Sequence, residues 1–189
     1  RGQAAAVQNA LRELNIEGRA HAQLRDAIAV DGTIPVADLQ KRTQGAFEVQ
    51  DLASQVAGLC CAPQPGQHWW DVCAGSGGKS LHLADLLARR GSVLATDVRE
   101  SALRELAQRA RAARIAGLNI ERPDRSGQVP VPPPASLDGI LVDAPCSGLG
   151  TWSRAPDARW RVRQAQLPEF ATRQLAILRR AAPALRPGG

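Results

Sequence analysis

Three short segments carry the residues whose types and spacing could do chemistry. The first is Asp71-Val72-Cys73-Ala74-Gly75-Ser76-Gly77-Gly78-Lys79-Ser80, placed between an apolar run and a helical pattern. Glycines there let the backbone approach a ligand closely, and the first turn of the following helix offers free N–H groups at the positive end of its dipole. A polar or anionic ligand is therefore expected on this turn. Two familiar versions of it fit badly: a phosphate loop needs glycine where Cys73 stands, and a dinucleotide fingerprint needs Gly or Ala where Ser80 stands. The second segment is Asp97, 22 residues past Gly75 at the end of the next apolar run. A carboxylate there can accept hydrogen bonds from ribose hydroxyls, although an aspartate at a strand end is often only a cap. The third is Asp143-Ala144-Pro145-Cys146-Ser147-Gly148, which follows another apolar run. It would hold an acid and a thiol on a rigid turn, against the plainer reading of a cysteine packed as a small apolar residue.

The elements that must position these segments follow from hydrophobic periodicity. Runs at 69–73, 93–96, 118–120 and 139–142 are predicted as strands, and 80–90, 101–115 and 168–185 as helices. Strand and helix in alternation imply parallel pairing through right-handed crossovers, so the predicted fold is α/β with a doubly wound, mostly parallel sheet. Residues just beyond the carboxyl ends of such strands line the ligand crevice, which would bring Asp143 and Cys146 into the same space as the glycine turn. In the helix from Ser101, read as its start signal, Leu103, Leu106, Ala107, Ala110 and Ala113 form an apolar stripe. Arg104, Arg109, Arg111 and Arg114 are read as its solvated face. Residues 122–136, with five prolines, are predicted as a loop. Ahead of all this, a helix over 3–14 and a short strand over 27–30 suggest a small α+β piece at 1–44, with the main domain at 45–189.

Composition narrows the class. With 44% hydrophobic residues the chain can build a core, and no run reaches the length of a membrane span or has a signal-peptide pattern. A cytoplasmic location without membrane contact is expected. Of the 24 basic residues 22 are arginine and the net charge is +6, which suits a polyanionic partner or merely reflects arginine-rich coding. Arg154, Arg159, Arg161 and Arg163 cluster with Trp152 and Trp160. That is either an RNA-contacting surface or a solvated face over two core tryptophans. The cysteines Cys60, Cys61, Cys73 and Cys146 show no zinc-ligand spacing, so no metal is expected, and the adjacent Cys60 and Cys61 are read as buried. Starting at Arg1, lacking methionine and ending in a Pro187-Gly188-Gly189 turn, the sequence reads as an internal fragment, expected to be monomeric.

Taken in order, the three segments and the preceding Phe47-Glu48-Val49-Gln50-Asp51-Leu52-Ala53-Ser54-Gln55 resemble the motifs of the RNA cytosine-5 methyltransferases, nearest those acting on bacterial small-subunit ribosomal RNA. The resemblance covers residues 45–189. It implies a class I methyltransferase fold using S-adenosyl-L-methionine, with residues 1–44 as part of an RNA-contacting subdomain. By the same resemblance Cys73, Ala74, Gly75, Ser76, Gly77, Gly78 and Lys79 wrap the methionine part of the cofactor, Asp97 takes its ribose and Asp124 its adenine. Asp143 lies between cofactor and target base, and Cys146, Asp143 and Lys79 make up the catalytic set. Ser76 departs from the family, which usually has proline there. The family's nucleophile is a second cysteine, in a Thr-Cys-Ser segment after a Pro-Gly-Gly turn. The 189 residues contain no such segment, so the chain is expected to be inactive by itself. The implied reaction is methylation of C5 of a cytosine in 16S ribosomal RNA; the alternatives are a transfer RNA enzyme and a non-catalytic RNA-binding module with a vestigial cofactor pocket.

Overall fold

A computed structural model describes residues 3–24, 26–151, 156–157, 160 and 162–189. Helix α1 (Ala4–Glu13), the antiparallel strands β1 (Gly18–Ala20) and β2 (Ile28–Val30) and helix α2 (Val36–Thr43) form a small first layer. Val7, Ala10, Leu11 and Leu39 are its buried core, with Ile28, Val30 and Phe47 packed against them. Helix α3 (Leu52–Cys60) leads into the main sheet, whose elements are β3 (His68–Asp71), α4 (Gly78–Leu86), β4 (Ser92–Thr96), α5 (Glu100–Ala112), β5 (Leu118–Glu121), β6 (Gly139–Leu141) and α6 (Leu167–Ala181).

The sheet order is β5-β4-β3-β6, and every pairing is parallel. The adjacent tryptophans of β3 show why it is covered on both faces, because successive side chains on a strand point to opposite sides. Trp69 packs with Leu83 of α4 and Leu87 just past its end, whereas Trp70 packs with Ala181 of α6. Trp70 is fully buried and its indole N–H donates to Thr96 Oγ1 at 2.9 Å, so the polar tip is satisfied inside the core. Gly139 is needed where it stands: a Cβ there would lie 2.4 Å from the Trp69 ring.

The four main-sheet strands and helices α1, α4, α5 and α6 appear where the periodicity places them, with ends shifted by a few residues. Helix α5 begins at Glu100, so Ser101 lies inside it and does not cap it. Cys60 is exposed at the end of α3, contrary to the expected burial, while Cys61 is half-buried against the Trp69 cluster. Among the described residues no helix is long and apolar enough to cross a membrane.

Candidate functional site

The strand order reverses direction between β3 and β6, and at such a switch point the loops leaving the carboxyl ends open a crevice. Here that crevice is a cavity of about 920 Å³. Its walls include all of Cys73 to Lys79, Asp97 and Asp143, so the three segments singled out from the sequence do meet in one place.

The glycine turn is held by its ends. Ala74 N–H donates to Thr96 O at 2.9 Å, Gly75 N–H to Asp97 Oδ2 at 2.9 Å, and Gly77 N–H closes the turn on Ala74 O at 2.9 Å. Gly75 and Gly77 have φ of 56° and 92°, and a Cβ on Gly77 would sit 2.0 Å from Leu106 Cδ1. Only glycine meets both the left-handed backbone and the close approach to α5. Helix α4 starts at Gly78, so its first N–H groups open beside the turn.

Asp97 is 5% exposed, yet it is well supplied with donors. Its Oδ1 accepts from Arg99 N–H at 2.8 Å and Arg99 Nε at 3.0 Å, and its Oδ2 also accepts from Arg99 Nη2 at 3.1 Å. Burial by itself raises the carboxyl's pKa, but the hydrogen bonds from Arg99 and Gly75 outweigh it and hold the pKa below the usual carboxylate value. Asp71 is the opposite case. It is fully buried with one oxygen accepting from Ser80 Oγ at 2.7 Å, and desolvation pushes its pKa up to about 6. Burial likewise pushes the Cys73 thiol up to about 11, so it stays protonated at neutral pH. At the far wall Lys79 Nζ donates to Asp143 Oδ2 at 2.7 Å, joining the first segment to the third.

The family described as 16S rRNA methyltransferase RsmB/F matches residues 59–189. The chain belongs to the RsmB/F family of 16S rRNA methyltransferases. A probable ribosomal RNA small subunit methyltransferase B from Synechocystis is 34% identical over 97% of this chain. The chain spans 41% of the length of that relative. NSun6 from Pyrococcus horikoshii, solved with SFG, is 26% identical over 89% of this chain and 44% of its own, with a TM-score of 0.70. A methyltransferase homolog from the same organism superimposes over 97% of this chain and 58% of its own, at 24% identity and a TM-score of 0.74. The sheet is thus the α/β, class I Rossmann-like fold, and S-adenosyl-L-methionine is the cofactor of the RsmB/F family.

The residues present fit that cofactor as an RsmB/F member should. The buried Asp97 carboxylate stands at the carboxyl end of β4, the turn leaves no room for a Cβ at Gly77, and the buried Gln50 Nε2 on the cavity wall has no partner among the described residues. Not every expected residue joins them. Asp124 lies outside the cavity: it is exposed, and its Oδ1 accepts from Ser126 Oγ at 2.6 Å, Ser126 N–H at 2.8 Å and Gln128 N–H at 3.0 Å, organising its own turn. The proline-rich loop presents Val129 to the cavity instead. Cys146 is also outside the lining and exposed, with Gly148 N–H directed at its Sγ at 3.4 Å. Pro145 does line the cavity, and its carbonyl is held by Gln174 Nε2 of α6 at 3.0 Å.

Of the expected RNA-contacting arginines, Arg163 is exposed, while Arg154, Arg159, Arg161 and Trp152 lie outside the described residues. Trp160 is 78% exposed, which does not fit a core tryptophan. Sequence reasoning missed Gln50, Arg99, Arg109, Arg173 and Arg180, all of which line the cavity. A helical offset could have found the last two, since 173, 177 and 180 share one face of α6. Among the described residues no cluster of His, Cys, Asp or Glu could hold a metal ion.

Proposed function

We propose that this chain supplies the methyl-donor site and part of the target-base site of an enzyme that methylates C5 of a cytosine in 16S ribosomal RNA. The observation that carries the reading is the single cavity lined by the glycine turn, Asp97 and Asp143 together. The SFG-bound relative supports placing the donor there, with Cys73 to Lys79 around its methionine part and Asp97 on its ribose.

S-adenosyl-L-methionine supplies an electrophilic methyl group when bound. Cytosine C5 is a poor nucleophile until a thiol adds to C6. Once C5 carries the methyl group, its proton must be removed before the C6–S bond can break and restore the aromatic ring. In this reading Asp143, held by Lys79, orients the base beside the donor. Cys146 stands on the exposed loop past β6, where a base entering from outside would arrive, and its role in this reading is to assist removal of the C5 proton and release. The attacking thiol belongs to the family's Thr-Cys-Ser segment.

The test uses a protein that carries this chain together with such a segment. Cys146→Ala should transfer the methyl group and remain attached to its RNA, giving a protein–RNA adduct on a denaturing gel. Normal turnover without adduct would remove Cys146 from the mechanism, and loss of both transfer and adduct would make it the nucleophile.

A further inference from the structure

Arg109 falls on the polar side of α5, yet its side chain is only 21% exposed and reaches the tip of the glycine turn. Its Nη1 donates to Ser76 O at 2.7 Å and to Ser76 Oγ at 3.1 Å, while its Nη2 pairs with Glu48 Oε2 at 2.6 Å. Glu48 is equally covered, at 20% exposure. One guanidinium fork therefore ties together α5, the turn and the segment leading into α3. A fork with charge-assisted bonds on both prongs is directional in a way that a single ammonium is not.

The tip is the part of the turn that the backbone leaves loose. Ala74, Gly75 and Gly77 are anchored by their own N–H groups, but among the described residues Ser76 N–H has no partner in the backbone network. Gly75 opens the turn at positive φ, and Ser76 is not among the positive-φ residues, so the tip has an ordinary negative φ. A proline ring would satisfy such a position without removing a hydrogen bond, and the ring would fix φ. In this chain serine stands there, with no ring to fix φ, and α5 buttresses it from outside. Leu106 packs under Gly77, and Arg109, one turn further along the helix, holds the Ser76 carbonyl.

We propose that Arg109 is a positioning residue for the cofactor: through Ser76 it fixes the direction of the turn's N–H groups and of the first N–H groups of α4, and Glu48 neutralises its charge. The inference rests on the reading of this turn as the methionine end of the S-adenosylmethionine site. Arg109 also lines the cavity, so direct contact with the ligand is the competing role that the test must separate.

Binding of S-adenosylhomocysteine by titration calorimetry, with a thermal melt of each protein, makes that separation through a double-mutant cycle. Arg109→Ala should weaken binding about tenfold in the natural background, equivalent to about 1.4 kcal/mol. In a Ser76→Pro background the same substitution should cost less than about threefold, because the ring takes over the constraint. Arg109→Lys, which cannot serve Ser76 and Glu48 with one fork, should also bind more weakly and guards against a poorly folded alanine variant. An equal loss in both backgrounds would mean that Arg109 touches the ligand directly or acts only through stability, and would overturn the proposal. So would unchanged affinity in Arg109→Ala and Arg109→Lys. A folded natural chain that does not bind the ligand at all would instead sink the reading of the turn itself.

Discussion

The Arg99 guanidinium lies across both carboxylate oxygens of Asp97, with Nε 3.0 Å from Oδ1 and Nη2 3.1 Å from Oδ2. The backbone N–H groups of Arg99 and Gly75 occupy the same two oxygens at 2.8 and 2.9 Å. A ribose can therefore reach Asp97 only by replacing the side-chain bonds, while the backbone bonds remain to hold the carboxylate in place. Arg99 is 65% exposed, so the pair it gives up is worth about 0–1 kcal/mol. Arg99→Ala should accordingly bind S-adenosylhomocysteine as tightly as the natural chain or up to about fivefold more tightly. Weaker binding would show that the guanidinium turns to contact the ligand.

Asp71 makes stability depend on pH in an unusual direction for a carboxylate. Its folded pKa is raised to about 6 by burial, above the ordinary value of 3.8, so the folded chain holds a proton that the unfolded chain has already released. Stability should fall as pH rises from about 4 to 6 and level off above that, a change on the order of 3 kcal/mol. Asp71→Asn, which can still accept from Ser80 Oγ, removes this dependence. Chemical denaturation at pH 4 and pH 7.5 should show the mutant gaining on the natural chain between the two. A difference that does not vary with pH would contradict the assignment.

The arginines after Trp152 are expected to face RNA. Replacing Arg154, Arg159, Arg161 and Arg163 by alanine should weaken RNA binding and flatten its salt dependence by roughly 0.7–0.9 log units for each phosphate left unneutralised. Trp160, which lies among them in the sequence, is exposed. An unchanged salt slope would assign these arginines to an ordinary solvated surface.

The elements around the sheet were legible because buried parallel strands read as short apolar runs, as in Val93-Leu94-Ala95 and Gly139-Ile140-Leu141. Their carboxyl ends then fix where Asp97 and Asp143 must lie. What periodicity could not reveal is which polar face another segment covers. Arg109 and Arg104 look alike on the helix, but Glu48 reaches Arg109 from another segment, whereas Arg104 pairs with Glu100 of its own helix at 3.5 Å. Helix α2, with Leu39 and Thr43 as its buried residues, was too short and polar to register. Asp124 sits in a proline-rich loop and takes its role from the resemblance alone, which does not say that its Oδ1 is engaged by Ser126 and Gln128.

The central claim is that the cavity binds S-adenosyl-L-methionine through the glycine turn and Asp97. Calorimetric titration of the chain with S-adenosylhomocysteine, NAD and ATP tests it most directly. Saturable binding of S-adenosylhomocysteine in preference to the other two is expected, weakened by about 1–3 kcal/mol in Asp97→Ala because the ribose hydroxyls are then without their buried acceptor. Equal or tighter binding of NAD or ATP, or an Asp97→Ala variant that binds as well as the natural chain, would contradict it.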